Sequence, residues 1–291
     1  YLYTQAGVIL HYLRLAFVPH PLCLDYSWPV KTALGEAWPE LLAVTMLLGA
    51  VLLLFFRKAA AAYPGVWFFL ILAPTSSIVP RPDCAFEHRM YLPLAGVVVF
   101  VAVAGYLFMR PRLSRAAILV LTAVLAAGEG TATHLRNRQF YEESRLWRAV
   151  LRVAPDNLRA RNDLAVALAE EGRIREALDE YRNVLEAVPA EVVRRIRNGS
   201  LNRDAPLRKD SYAYHYFRAH ANMGIMLEKS LNRTEEALRH LEAALLVLPS
   251  RADIRARVER LRRASADAEK GGPRQAGTAT EALPGSKIDE R

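Results

Sequence analysis

The chain changes character at about His134. Before that point lie long apolar runs almost free of charge, and after it the sequence is Arg-rich, water-compatible and helical in pattern. The 52% hydrophobic content is therefore an average over two unlike parts, and 291 residues are enough for about two domains. The reading is all-α: a helical transmembrane domain over 1–134, helical repeats over 135–264, and a disordered tail over 265–291.

Four segments have the length and composition of membrane spans: 37–56, 59–80, 91–109 and 116–133. A crossing takes about 20 apolar residues at 1.5 Å each. Arg57 and Lys58 close the first, and 110–115 (RPRLSR) separates the third from the fourth. The second contains Pro64, Gly65 and Pro74, which also suit a re-entrant segment. Ahead of them, 1–18 is apolar apart from a stripe of Thr4, Gly7, His11 and Arg14. That stripe suits either a membrane helix with a polar inward face or a helix lying in the interface. Residues 19–39 are rich in Pro, Tyr and Trp and read as a loop at the membrane surface.

No charged segment with a cleavage site precedes the first apolar run, so no signal peptide is expected. The chain instead reads as the C-terminal part of a longer protein. Four spans place 19–36, 81–90 and everything after His134 on one side. Positive charge flanks both sides and leans only slightly toward an extracytoplasmic C-terminal part.

In that part, Leu164, Ala165, Leu168, Gly172, Ala177, Tyr181, Leu185 and Pro189 follow the tetratricopeptide (TPR) pattern. Pro155 and Pro189 lie 34 residues apart, the period of that repeat. A second block supplies Met223, Gly224, Leu227, Ala237, Leu241, Leu245 and Pro249, with one extra residue in its turn. An Arg- and Tyr-rich insertion, 190–217, separates the blocks, and 251–264 reads as a capping helix. The net charge of +9 is carried by Arg mixed with Glu and Asp at helical spacing. That mixture is a solvated face, and no nucleic-acid motif accompanies it.

Chemistry-bearing residues concentrate in 82–93 (PDCAFEHRMYLP). Arg89 offers a bidentate fork to a phosphate, His88 a second donor, and Glu87 a base or a clamp on Arg89. A structural ion-pair network at a helix mouth is the competing reading. Glu129, inside the fourth span, needs either a cationic partner or access to the interface. Asp25, beside Tyr26 and Trp28, suits a substrate rim or a turn. Cys23 and Cys84 fall in loops on one side and form either one disulfide or two structural thiols. No metal-ligand spacing, phosphate-binding Gly-rich loop or nucleophile elbow is present. Asn198-Gly-Ser and Asn232-Arg-Thr match the glycosylation sequon.

Several elements together carry a resemblance: Tyr12-Leu13-Arg14-Leu15, Asp25-Tyr26-Ser27-Trp28-Pro29, Ala73-Pro74-Thr75-Ser76-Ser77 and Glu87-His88-Arg89-Met90-Tyr91-Leu92-Pro93. With the C-terminal repeats, they resemble the transmembrane-and-TPR O-mannosyltransferases and their bacterial relatives, of the GT-C superfamily. The resemblance covers about residues 1–250. It implies an integral membrane protein with repeats on the lumenal or periplasmic side. It further implies a polyprenyl-phosphate sugar as donor substrate and a polypeptide acceptor held in the TPR groove. Arg89 and His88 would hold the donor phosphate, with Glu87 orienting Arg89. Arg14 and His11 would add contacts from the first helix, Asp25 would sit at the rim, and the catalytic acid would lie upstream. The alternative is a membrane-anchored TPR scaffold for envelope proteins, without chemistry of its own.

Overall fold

A computed structural model describes residues 1–74, 76, 84–201, 208 and 211–271. Twelve α-helices and two short 3₁₀ turns make up its regular structure, with no strand among the described residues. The helices are α1 Leu2–Phe17, α2 Leu34–Phe56, α3 Ala62–Ala73, α4 Tyr91–Met109 and α5 Arg115–Asn137. They continue with α6 Glu143–Val153, α7 Leu158–Glu170, α8 Ile174–Ala187, α9 Ala190–Arg197, α10 Tyr212–Leu231, α11 Thr234–Val247 and α12 Ala252–Gly271.

Three helical stretches are long and apolar enough to cross a membrane: Leu34–Phe56, Glu87–Met109 and Arg115–Asn137. The expected span over 59–80 is seen only in part. Its helix, α3, has only 12 residues, about 18 Å of rise. It begins two residues before Pro64, where a missing N–H costs nothing, and Pro74 follows its last residue. Residues 75 and 77–80 of that expectation lie outside the described residues. Close backbone approach packs α3 against its neighbours. A Cβ on Gly96 of α4 would stand 2.6 Å from the Pro64 carbonyl oxygen, and one on Gly65 the same distance from a Val51 methyl. Trp67 closes the α3–α4 contact by donating to the Leu92 carbonyl at 2.9 Å. By contrast α5 is exposed along nearly its whole length, with Ile118 its one buried residue and Glu129 on the exposed surface.

Beyond α5 the helices pair antiparallel. Helix α7 lies against α6 and α8, α10 against α11 and the α7–α8 pair, and α12 closes on α11. The apolar positions singled out in the two sequence blocks form this core. Leu164, Ala165, Leu168, Ala177, Tyr181, Met223, Leu227, Ala237 and Leu241 are buried, while Leu185 and Leu245 pack at its edge. Gly172, at φ +76°, turns α7 into α8, and Asn232, at φ +50°, turns α10 into α11. Both positions need the left-handed region that Gly and Asn tolerate best. Across the two pairs, Arg218 of α10 meets Asp163 of α7 at 2.5 Å with both side chains mostly buried.

Two further expectations change. The insertion over 190–217 contains a helix of its own, α9, whose buried Ile196 packs against the following pair. The capping helix does not stop at 264. It runs to Gly271 because Ala-Ser-Ala-Asp-Ala-Glu-Lys is dominated by good helix formers. The rest of the expected disordered tail, 272–291, lies outside the described residues.

Candidate functional site

The polar stripe of α1 explains how the N-terminal part is built. Residues 20–31 run back along it as a strap. The Lys31 N–H donates to Thr4 Oγ1 at 2.9 Å, and the Trp28 ring covers Gly7. His11 packs edge-on to Tyr26 at 4.7 Å and against Trp28 at 4.9 Å. Arg14 donates to the His20 carbonyl at 3.0 Å. Each member of the stripe therefore meets the strap. Lys31 anchors the far end on the start of α2 through Glu40 at 2.6 Å.

The other face of α1 grips the segment leading into α4. Tyr12, fully buried, donates its hydroxyl proton to the Phe86 carbonyl and accepts from the Phe86 N–H, each at 2.8 Å. Gln5 donates to the Cys84 carbonyl at 3.1 Å. These bonds put the Tyr12 face of α1 beside the 3₁₀ turn Glu87–Met90.

In that turn Glu87 faces two segments at once. Its Oε1 lies 3.0 Å from the Tyr26 hydroxyl and accepts from the Cys23 N–H. Its Oε2 stands 3.8 Å from Arg136 at the end of α5. The expected clamp of Glu87 on Arg89 is thus corrected: the carboxylate is taken by the strap and by α5. Arg89 donates to the Cys84 carbonyl at 3.3 Å and lies 5.9 Å from the Phe86 ring centre. His88 is exposed and tilts over the same Phe86 ring, with centroids 5.2 Å apart.

Asp25 acts in a turn and as a docking point. Its Oδ1 accepts from the Ser27 N–H at 3.0 Å, an Asx turn that holds Ser27 at φ +46°. Its backbone carbonyl accepts from Asn157 at 3.2 Å, and its carboxylate lies 3.9 Å from Arg159. Cys23, 1% exposed, inserts into the core of the C-terminal part beside Trp147 and Val150. Burial raises its thiol pKa to about 11, opposed in part by its hydrogen bond to the Asp25 carbonyl. The Tyr26 hydroxyl is raised too, first by burial and then by the Glu87 charge. Both cysteines are free and buried, which removes the disulfide alternative.

Of the six residues singled out from sequence, the structure joins Glu87, Asp25 and His11 through Tyr26 and Cys23, and sets Arg14, His88 and Arg89 at the edges. Sequence reasoning missed the connecting residues Cys23, Tyr26, Arg136 and Asn157. A loop Cys carries no periodic signal, and Arg136 and Asn157 are distant in sequence from their partners. His11 Nε2 is buried with no hydrogen-bond partner. No cluster of three or more metal-ligating side chains occurs among the described residues. No family model, curated protein or solved structure matches the chain.

Proposed function

We propose that the chain is part of a membrane protein O-glycosyltransferase that uses a polyprenyl-phosphate sugar, with its C-terminal helices forming a TPR-type array for the polypeptide acceptor. The observation that carries this reading is the Tyr12–Phe86 double hydrogen bond. It fixes α1, the helix that carries His11 and Arg14, to the segment that leads into His88 and Arg89 at the start of a membrane-length helix. These are donors of the kind that neutralise a phosphate leaving group as its charge develops. Helices in the TPR pattern are joined to that segment by the strap.

The test is transfer of the sugar from a polyprenyl-phosphate donor to a hydroxyl-bearing peptide by the full protein in lipid nanodiscs. Arg89→Ala is expected to lower transfer by about a hundredfold while helicity is unchanged. Transfer by Arg89→Ala at the parent rate would refute the assignment.

A second reading, a membrane-anchored TPR scaffold without chemistry, is favoured by one specific observation. Glu87 and Asp25 are engaged in contacts that hold the two parts together. Protein that is folded and binds peptide but transfers no sugar from any polyprenyl-phosphate donor would establish that reading.

A further inference from the structure

Helix α5 is long and apolar enough to cross a membrane, yet the rest of the chain leaves it uncovered. Its 23 residues bury only Ile118. Residues 110–114 join it to α4, but the two helices do not pack along their lengths. Between Ala116 and Thr133 the only charged residue is Glu129. It lies about 12 Å of helix rise before the end of α5. Its side chain is exposed, and no hydrogen bond or ion pair engages it among the described residues. Its own helix offers no relief. Leu125, Ala126, Ala132 and Thr133, the neighbours one turn away, carry no charge, and Arg136 meets Glu87 at 3.8 Å. The Thr122 and Thr131 hydroxyls, by contrast, donate back to the Ile118 and Ala127 carbonyls.

At 3.6 residues per turn, Glu129 shares a face of α5 with Ile118 and Arg136. On that face Ile118 is buried near one end and Arg136 meets Glu87 near the other, while Leu125 between them is 61% exposed. The backbone beside Glu129 is open as well. A Cβ on Gly128 or Gly130 would meet nothing within 4 Å, whereas one on Gly65 or Gly96 runs into the chain's own helices at 2.6 Å. Small residues in a membrane let a second helix backbone come close. Helix α5 thus offers a carboxyl at membrane depth and room beside it, and no described element of this chain uses either.

We propose that α5 packs in the membrane against a transmembrane helix carrying a Lys or Arg side chain, whose cation pairs with Glu129. An acid at membrane depth is costly and is relieved by an opposite charge. Glu129 therefore selects a cationic helix over a lipid chain or a wholly apolar helix. A second copy of this chain does not supply that cation. Two parallel copies of α5 would set Glu129 against Glu129, and α2, α3 and α4 carry no basic residue. His11 and Arg14 of α1 face the strap. The docking face does not depend on the glycosyl-transfer reading, because Glu129 is outside the residues assigned to the donor phosphate.

The test uses the full protein in phosphatidylcholine vesicles and dansyl-labelled, Trp-free peptides of Leu and Ala, each as long as α5. One carries Lys about 12 Å from one end, the depth of Glu129. In the others Leu or Glu replaces that Lys. Energy transfer from the protein's tryptophans, followed against the peptide-to-lipid ratio, reads binding. The Lys peptide is expected to bind about tenfold more tightly than the Leu peptide, and the Glu peptide no better than the Leu peptide. Glu129→Gln should abolish that preference. Gly130→Val should weaken the Lys peptide with Glu129 still in place, and Val120→Ala, on the opposite face of α5, should change nothing. Glu129 and Gly130 meet no other described element, so their variants should keep the parent's helicity and melting temperature. Equal binding of the Lys and Leu peptides, a preference that survives Glu129→Gln, or parent-like binding by Gly130→Val would overturn the proposal. So would energy transfer between two differently labelled copies of the protein that Gly130→Val abolishes and the Lys peptide does not compete, because the face would then belong to a second copy.

Discussion

Glu87 has three partners from two places in the chain: Tyr26 and the Cys23 N–H on the strap, and Arg136 at the end of α5. Its removal therefore takes one anionic partner from Tyr26, the Cys23 N–H and Arg136 together. The Arg136 side chain is only 18% exposed and would keep a charge without its acid. Glu87→Ala is expected to cost about 1–3 kcal/mol, measured by chemical denaturation in detergent. Glu87→Gln, which can still accept from Tyr26, should cost less. A loss for Gln equal to that for Ala would mean that the Arg136 charge, and not the hydrogen bonds, dominates. Cys23 supplies a second prediction. Burial raises its pKa to about 11, so the folded state favours the neutral thiol. That contribution is complete below the unfolded thiol's pKa near 9 and is lost as pH rises through 11. Iodoacetamide should therefore modify Cys23 slowly in the folded protein up to about pH 9 and faster above it. Rapid modification at pH 8 would show that the strap does not bury the thiol.

At the scale of elements, α10 and α11 meet at Gly224. A Cβ there would stand 2.7 Å from Leu241 Cγ and 3.0 Å from the Ala237 carbonyl oxygen. Leu241 is fully buried and the carbonyl belongs to the helix backbone, so neither can yield freely. Gly224→Ala is expected to destabilise the C-terminal helices by about 1–3 kcal/mol, even though Ala is the better helix former. Leu241→Ala should cost about 2–5 kcal/mol through the cavity it leaves. A thermal melt of the purified variants separates them, and an unchanged or raised melting temperature for Gly224→Ala would contradict the packing. These helices were legible in the sequence because small and large apolar residues recur at helical spacing and Gly or Asn marks the turns. The long spans were legible because an apolar run about 20 residues long has few other uses. Helix α3 was less so: its composition is apolar throughout, and Pro64 and Pro74 near its ends suit a re-entrant segment as well as a kinked span. Helix α9 was missed because eight residues dominated by Arg and Val give little period to read.

For the molecule as a whole, residues 20–31 are the link between its parts. They cover the polar stripe of α1, meet Glu87 at the entry to α4, and insert Cys23 among Trp147 and Val150. None of this was legible in the segment itself, since Pro, Tyr, Trp and Cys without period read as a surface loop. The stripe of Thr4, Gly7, His11 and Arg14 was legible, but what covers it was not. Periodicity shows that a face needs a cover and says nothing of which segment supplies one. Tyr26 is the residue through which these contacts pass, touching His11, Trp28, Glu87 and the Cys23 N–H. Tyr26→Ala is therefore expected to act at a distance. It removes a ring from His11 and a hydroxyl from Glu87 together, at a cost of about 3–5 kcal/mol. Hydrogen exchange on the full protein in nanodiscs reads where that loss falls. Amides of α1 and of residues 84–90 should lose protection, because Tyr12 and Gln5 bind there and share the strap's support. Amides of α10 and α11, which hold their own core through Leu227 and Leu241, should keep theirs. If α1 keeps full protection in Tyr26→Ala, its packing is independent of the strap. If α10 and α11 lose theirs, the molecule unfolds as one unit rather than as two parts joined at Tyr26.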